Sequence, residues 1–92
     1  MKESGVYILQ SEKDGSYYIG STDNLSQRFD QHRRGYVSAT KNKRPLTLKM
    51  FLVCDSITKA RQSEYRLKKY KRRDITESAI TNIRFPWDHM GT

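Results

Sequence analysis

Gly5-Val6-Tyr7-Ile8-Leu9, then Asp14-Gly15, then Tyr17-Tyr18-Ile19-Gly20: two short β-branched and aromatic runs flank a dipeptide that supplies the positive φ angles of a tight turn. The stretch predicts a β-hairpin. If its loop holds an even number of residues, as a two-residue turn at Asp14-Gly15 would, odd residues of the first strand face even ones of the second. Tyr7 and Tyr18 then share one face of the sheet.

Outward from the hairpin, Thr22-Asp23-Asn24 offers candidate N-caps for a helix running to about Arg34, with Gly35 as its stop. Residues 36–45 are polar and basic without a period, which predicts a surface loop. Leu46 to Cys54 reads as a third strand. Ser56 or Thr58 caps a longer helix to about Arg73, with Ile57, Ala60 and Leu67 facing inward, and a short third helix is expected near 76–83. The order β-β-α-β-α-α predicts an α+β fold, a small three-stranded antiparallel sheet flanked by helices. One domain spans residues 1–83, and 84–92 form a C-terminal tail whose aromatic residues have no regular pattern.

At 92 residues and 35% apolar content the chain has material for one core, and Cys54, its single cysteine, cannot form an internal bridge. The N-terminal residues lack the apolar segment of a secretion signal. The longest apolar run, Met50 to Cys54, is far short of the roughly 20 residues that span a bilayer, so a soluble, cytoplasmic protein is expected. Net charge is +8 and unevenly placed: Arg33, Arg34, Lys41, Lys43 and Arg44 form one cluster, and Lys59, Arg61, Arg66, Lys68, Lys69, Lys71, Arg72 and Arg73 another. Such clusters suit a polyanion, because each neutralised phosphate releases counterions.

On a 100° wheel, Leu25, Arg28, Phe29 and His32 fall within one arc of the first helix, and Glu64 falls between Ile57, Ala60 and Leu67 on the second. Each polar residue has an ordinary account. Arg28 can pair with Asp55, His32 can sit at the core's rim, Glu64 can bind Lys68 one turn on, and the two tyrosines can be a plain cross-strand pair. Together they ask for more, since charges pointing inward are costly unless paired or functional. Three polar residues converging on the tyrosine face suit phosphodiester chemistry: a cation for the phosphoryl oxygens, a base for water, a carboxylate for a divalent metal. One carboxylate suits Mg²⁺, whereas the absence of clustered Cys and His disfavours zinc. Ser-His-Asp, GxSxG and P-loop patterns are absent.

Gly5-Val6-Tyr7, ten intervening residues, Tyr18-Ile19-Gly20, then Asp23 to Arg28 and His32, resemble the GIY-YIG nuclease superfamily. Lys43-Arg44-Pro45-Leu46 and the segment 60–69 around Glu64 resemble its compact stand-alone bacterial branch, related to the nuclease domain of a class of structure-specific endonucleases. The resemblance covers about residues 4 to 80. It implies an endonuclease that hydrolyses DNA phosphodiester bonds with Mg²⁺ (or Mn²⁺); whether the DNA is branched or damaged, and whether a protein partner supplies specificity, is left open by the sequence. It also implies an active site of Tyr7, Tyr18, Arg28, His32 and Glu64, in which Glu64 is the only protein ligand of the metal. Arg28 would contact the scissile phosphate, either Tyr7 or His32 would activate water, with Tyr7 assisted by His32 preferred, and Tyr18 would orient water or phosphate. The expected nucleic-acid contacts are Arg33, Arg34, Lys41, Lys43, Arg44, Lys68, Lys69, Lys71 and Arg72. Two other functions stay open to the chain: nucleic-acid binding with little or no cleavage, and an interaction protein whose tyrosines and basic helix bind another protein. Val6 stands in place of the family's usual Ile. Where many members carry Asn about a dozen residues beyond the Glu, this chain has Thr76, with Asn82 nearest.

Overall fold

A computed structural model describes residues 3–87. Its elements are β1 (Gly5–Ser11), β2 (Tyr17–Thr22), α1 (Leu25–Arg33), β3 (Leu46–Val53), α2 (Ile57–Lys69) and α3 (Arg73–Asn82), with a 3-10 turn at Lys41–Lys43. The sheet order is β2-β1-β3 and both pairings are antiparallel, so the α+β architecture is as expected. No helix among the described residues is long and apolar enough to cross a membrane.

The hairpin loop is longer than a two-residue turn. The Ser11 amide donates to the Ser16 carbonyl and the Gly15 amide to the Ser11 carbonyl, which encloses residues 12–15, with Gly15 at φ +77°. Four residues keep the parity of two. Tyr7 therefore lies opposite Gly20 and Leu9 opposite Tyr18, on one face of the sheet. The register shift in the sheet falls between Ile8 and Leu9 on the β3 side of β1, where it leaves the hairpin pairing intact.

Val6 and Ile8 point to the other face. With Met50 they pack against Ala60 and Leu67 of α2, Ala79 of α3, and Phe85 beyond it, which is 7% exposed. Asn24 caps α1 by accepting from the Gln27 amide, and Ser56 caps α2 by accepting from the Lys59 amide. The α2 boundary expected near Arg73 is corrected: the helix stops at Lys69. Past Leu67 no apolar residue holds it on the core. Lys71 takes a left-handed turn at φ +50°, and α3 starts at Arg73, so that Ile75, Thr76 and Ala79 can dock. Of the tail, Phe85 and Trp87 stack with ring centroids 4.8 Å apart, and the Arg66 guanidinium lies 4.2 Å above the Trp87 ring. Residues 88–92 lie outside the described residues.

Candidate active site

β1 delivers Tyr7 to a buried position, 1% exposed, where its ring crosses the neighbouring strand at Gly20. A Cβ at Gly20 would stand 2.4 Å from both the Tyr7 Cζ and its hydroxyl oxygen, so the ring can lie there only because residue 20 has no side chain. α1 covers the same face. His32 Nε2 lies 2.8 Å from the Tyr7 hydroxyl, and Arg28 donates to that hydroxyl through Nε at 3.3 Å. Arg28 also donates to Gln31 Oε1 at 3.0 Å and interacts with the Tyr18 hydroxyl, in place of the expected pairing with Asp55. Tyr18 completes the cluster, with ring centroids 6.3 Å from Tyr7 and 5.1 Å from His32.

His32 is fully buried, and behind it Nδ1 meets the hydroxyl of Thr40 at 2.7 Å. Thr40 is itself fully buried, so the stretch expected to be surface loop plants one side chain inside the protein. Nothing in its polar, aperiodic neighbourhood marks that side chain. The one sequence-level hint is a residue able to donate and accept within reach of a helix carrying an inward His.

Glu64 corrects the expectation that all three polar residues converge on one sheet face. It projects from α2, which packs over the opposite face, and is held by the Ser21 hydroxyl (2.5 Å) and the Lys68 ammonium (2.7 Å). Ser21 alternates with Tyr18 and Gly20 along β2 and so points to the α2 side. Since β2 is an edge strand, the site straddles that edge: Tyr7, Tyr18, Arg28 and His32 lie on one side, Glu64 and Lys68 reach round from the other. Lys68 Nζ bridges the halves, 5.5 Å from the Tyr18 ring centroid.

Burial raises the Tyr7 hydroxyl above the usual tyrosine range near 10; the hydrogen bond from Arg28 pulls it back, and the nearby Tyr18 and Glu64 push it further up. Burial, followed by the Arg28 charge, drives His32 down to about 4, so the ring is neutral at pH 7. The bond to Tyr7 raises the Arg28 guanidinium. No group of three or more His, Cys, Asp or Glu that could cage a metal occurs among the described residues. Glu64, with its side chain 22% exposed, is the one site carboxylate with a path to solvent.

The basic residues divide into two sets. On the α1 side Arg33 and Arg34 both pair with Asp30, Lys43 lies 3.3 Å from Asp14, and Arg44 binds the carbonyls of Lys41 and Arg33. On the α2 side a groove of about 350 Å³ opens between Tyr17, Tyr18 and the turn from α2 to α3, walled by Lys68, Lys71, Arg72 and Arg73. Lys69 sits apart, with its ammonium 5.4 Å from the Tyr65 ring. Thr76 lines this groove, whereas Asn82 lies at the far end of α3 against Ser78.

A family model described as the GIY-YIG catalytic domain matches residues 3–77. A UPF0213 protein of Cronobacter sakazakii is 34% identical over 86 residues, 92% of this chain and 90% of its own. A UPF0213 protein of Halobacterium salinarum is 34% identical over 68 residues, covering 73% of this chain and 87% of its own. One of Clostridium perfringens is 37% identical over 68 residues, 73% of this chain and 72% of its own. No solved structure matches at a significant level.

Proposed function

Since this chain belongs to the GIY-YIG family, a nuclease family, we propose that it is an endonuclease hydrolysing DNA phosphodiester bonds with a divalent ion, Mg²⁺ (or Mn²⁺). The observation that carries the reading is the Tyr7 hydroxyl, buried yet bonded to both Arg28 and His32, and within electrostatic influence of Glu64 across the β2 edge. A core tyrosine needs one hydrogen-bond partner. Two, one of them the cationic Arg28, offset part of what burial costs its phenolate.

The donor set fits an ion of the Mg²⁺ type, which binds through one or two carboxylates, keeps several waters and takes phosphate oxygens. Glu64 would hold it, and when bound it would supply Lewis acidity to a phosphoryl oxygen. In the proposed reaction Tyr7, its phenolate favoured by Arg28 and assisted by His32, takes the proton of the attacking water. Arg28 presents its guanidinium to the phosphoryl oxygens, and Tyr18 orients water or phosphate at the open side. Ser21 fixes the Glu64 carboxylate, a role the sequence did not announce. The groove beside Tyr18 and the α1-side cluster are proposed to carry the DNA backbone on either side of the scissile phosphate, through Lys68, Lys69, Lys71 and Arg72, and through Arg33, Arg34, Lys41, Lys43 and Arg44. Discrimination of branched or damaged DNA would come from backbone geometry and from a protein partner, because phosphate contacts carry no sequence information.

A second reading, binding without cleavage, draws on the Lys68 ammonium that occupies the Glu64 carboxylate. The test incubates wild type, Glu64→Ala and Arg28→Ala with branched, flapped and linear DNA, with and without Mg²⁺. Metal-dependent cutting lost in both variants is expected. Salt-sensitive binding by all three proteins with no cutting under any metal condition would establish the second reading instead.

A further inference from the structure

Thr40, His32 and Tyr7 form a chain of three side chains, with Thr40 Oγ1 2.7 Å from Nδ1 and Nε2 2.8 Å from the Tyr7 oxygen. A neutral imidazole has one N–H, so this chain runs in one of two directions. If Nδ1 carries the hydrogen, it donates to Thr40, and Nε2 accepts from Tyr7. The Thr40 hydroxyl hydrogen is then left over, on a side chain with no exposure and, among the described residues, no hydrogen-bond partner but His32. An unsatisfied buried donor costs about 1–3 kcal/mol. If Nε2 carries the hydrogen, Thr40 donates to Nδ1, His32 donates to the Tyr7 oxygen, and Arg28 donates to the same oxygen. The one hydrogen left over is then that of the Tyr7 hydroxyl, itself 1% exposed, so either direction strands one buried donor and the two differ in which hydrogen is free to leave.

We propose that Thr40 is a positioning residue that donates to His32 Nδ1, holds the hydrogen on Nε2, and so makes His32 a donor to Tyr7 rather than the acceptor of its proton. The low proton affinity of the buried ring agrees with this, because a neutral ring is what a Thr hydroxyl can donate to. Tyr7 then receives two donors, the arrangement that stabilises a phenolate, and its own hydrogen, which neither Arg28 nor His32 can take, is the one that passes to solvent when the phenolate forms. His32 works by its hydrogen bond and not by titrating, which distinguishes this assignment from the ordinary reading of an active-site histidine as a base.

The hydrogen-bonded chain stands on geometry, whereas its direction and the consequence for catalysis rest on the nuclease reading, in which Tyr7 gives up its hydrogen. Long-range ¹⁵N–¹H spectra of the uniformly labelled full chain at pH 7 read both ring nitrogens, with His89→Gln identifying the second histidine. The expected signature is a protonated Nε2 and a bare Nδ1 in wild type and in Thr40→Ser. In Thr40→Val the Nδ1 resonance shifts and the two tautomers mix. In the cleavage assay, Thr40→Val loses about tenfold in kcat with KM unchanged, the worth of one buried hydrogen bond, and Thr40→Ser recovers it. A protonated Nδ1 in wild type overturns the proposal, as does an Nδ1 resonance unmoved by Thr40→Val. Should Thr40→Val not fold, wild type and Thr40→Ser still decide the tautomer. Absence of cutting by wild type defeats the nuclease reading and leaves the spectra to judge Thr40.

Discussion

Gly20→Ala is a change of one methyl group that should disable the site. The new Cβ would meet the Tyr7 Cζ and hydroxyl oxygen at 2.4 Å, where unbonded carbons rest at about 3.5 Å, a deficit of about 1 Å. The Tyr7 ring has no free direction of retreat, being buried and set edge-on against His32 with centroids 5.5 Å apart. Either the β1–β2 ladder opens or the ring moves and breaks its bonds to His32 and Arg28. Overpacking costs about 1–3 kcal/mol and each lost hydrogen bond about 1 kcal/mol, against which the strand preference of Ala over Gly returns about 0.5–1. A net loss of about 2–4 kcal/mol should lower the melting temperature by at least roughly 10 °C in a domain of this size. Displacement of a reacting group by 1 Å should lower kcat/KM by about 10²-fold. Calorimetry and urea unfolding read the first and a nicking assay the second. In a Tyr7→Ala background the stability cost should vanish, giving a coupling of about 2 kcal/mol. A Gly20→Ala protein within about 0.5 kcal/mol of wild type, or an additive cycle, would refute the close-approach reasoning, whatever the enzyme does.

Because His32 is held neutral with a value near 4 against about 6.5 when unfolded, the folded state binds fewer protons between those limits. Stability should therefore be full above pH 6.5 and fall by up to about 3 kcal/mol as pH drops towards 4, in urea titrations. His32→Gln should flatten that window, and a flat wild-type curve would contradict the burial of the ring. Lys71→Ala and Arg72→Ala should each reduce the slope of log affinity for DNA against log salt by about 1, with kcat at saturation unchanged. An unaltered slope would remove the groove from the DNA path. Phe85→Ala should cost about 3–5 kcal/mol in denaturant and shift the emission of the stacked Trp87, since its ring fills the core beside Ala79. A loss under 1 kcal/mol would mean that residues 84–87 are dispensable to the fold. Tyr7→Phe strands Nε2 of a buried His and should cost about 1–3 kcal/mol, whereas Glu64→Gln should stay within about 0.5 kcal/mol in the same unfolding experiment.

Alternation and period made most of the scaffold legible. Loop parity alone put Tyr7 and Tyr18 on one face, although the loop is four residues and not two, because parity is all that a period of two requires. The wheel found Arg28 and His32 beside Tyr7, since α1 has one covered face and few apolar residues to fill it. It did not say which sheet face α2 covers, and so Glu64 was assigned to the wrong side of the strand. The α2–α3 boundary was hidden because no Gly or Pro marks it. Lys71 adopts a positive φ that its residue type does not advertise. Thr40 and Ser21 were invisible for a further reason. Each matters through one hydroxyl at one distance, which is a property of packing and not of pattern.

Those two hydroxyls separate the site into halves of different character. Thr40 and His32 have no exposure, so the hydrogen bond between them has no competing solvent and holds the Tyr7 side of the site in the geometry set when the chain folds. Glu64 and Lys68 are partly exposed, at 22% and 46% of their side chains, and their ion pair contributes little that water would not replace. An incoming phosphate and its counterion can therefore displace Lys68 from Glu64 at small cost, while nothing of that size can dislodge the Tyr7 hydroxyl. It follows that lesions on the two sides of β2 should differ in kind. Loss of Tyr7, His32 or Gly20 should lower stability and activity together. Loss of Glu64 should lower activity alone, because a carboxylate that must exchange partners during a catalytic cycle cannot also be one on which the fold depends.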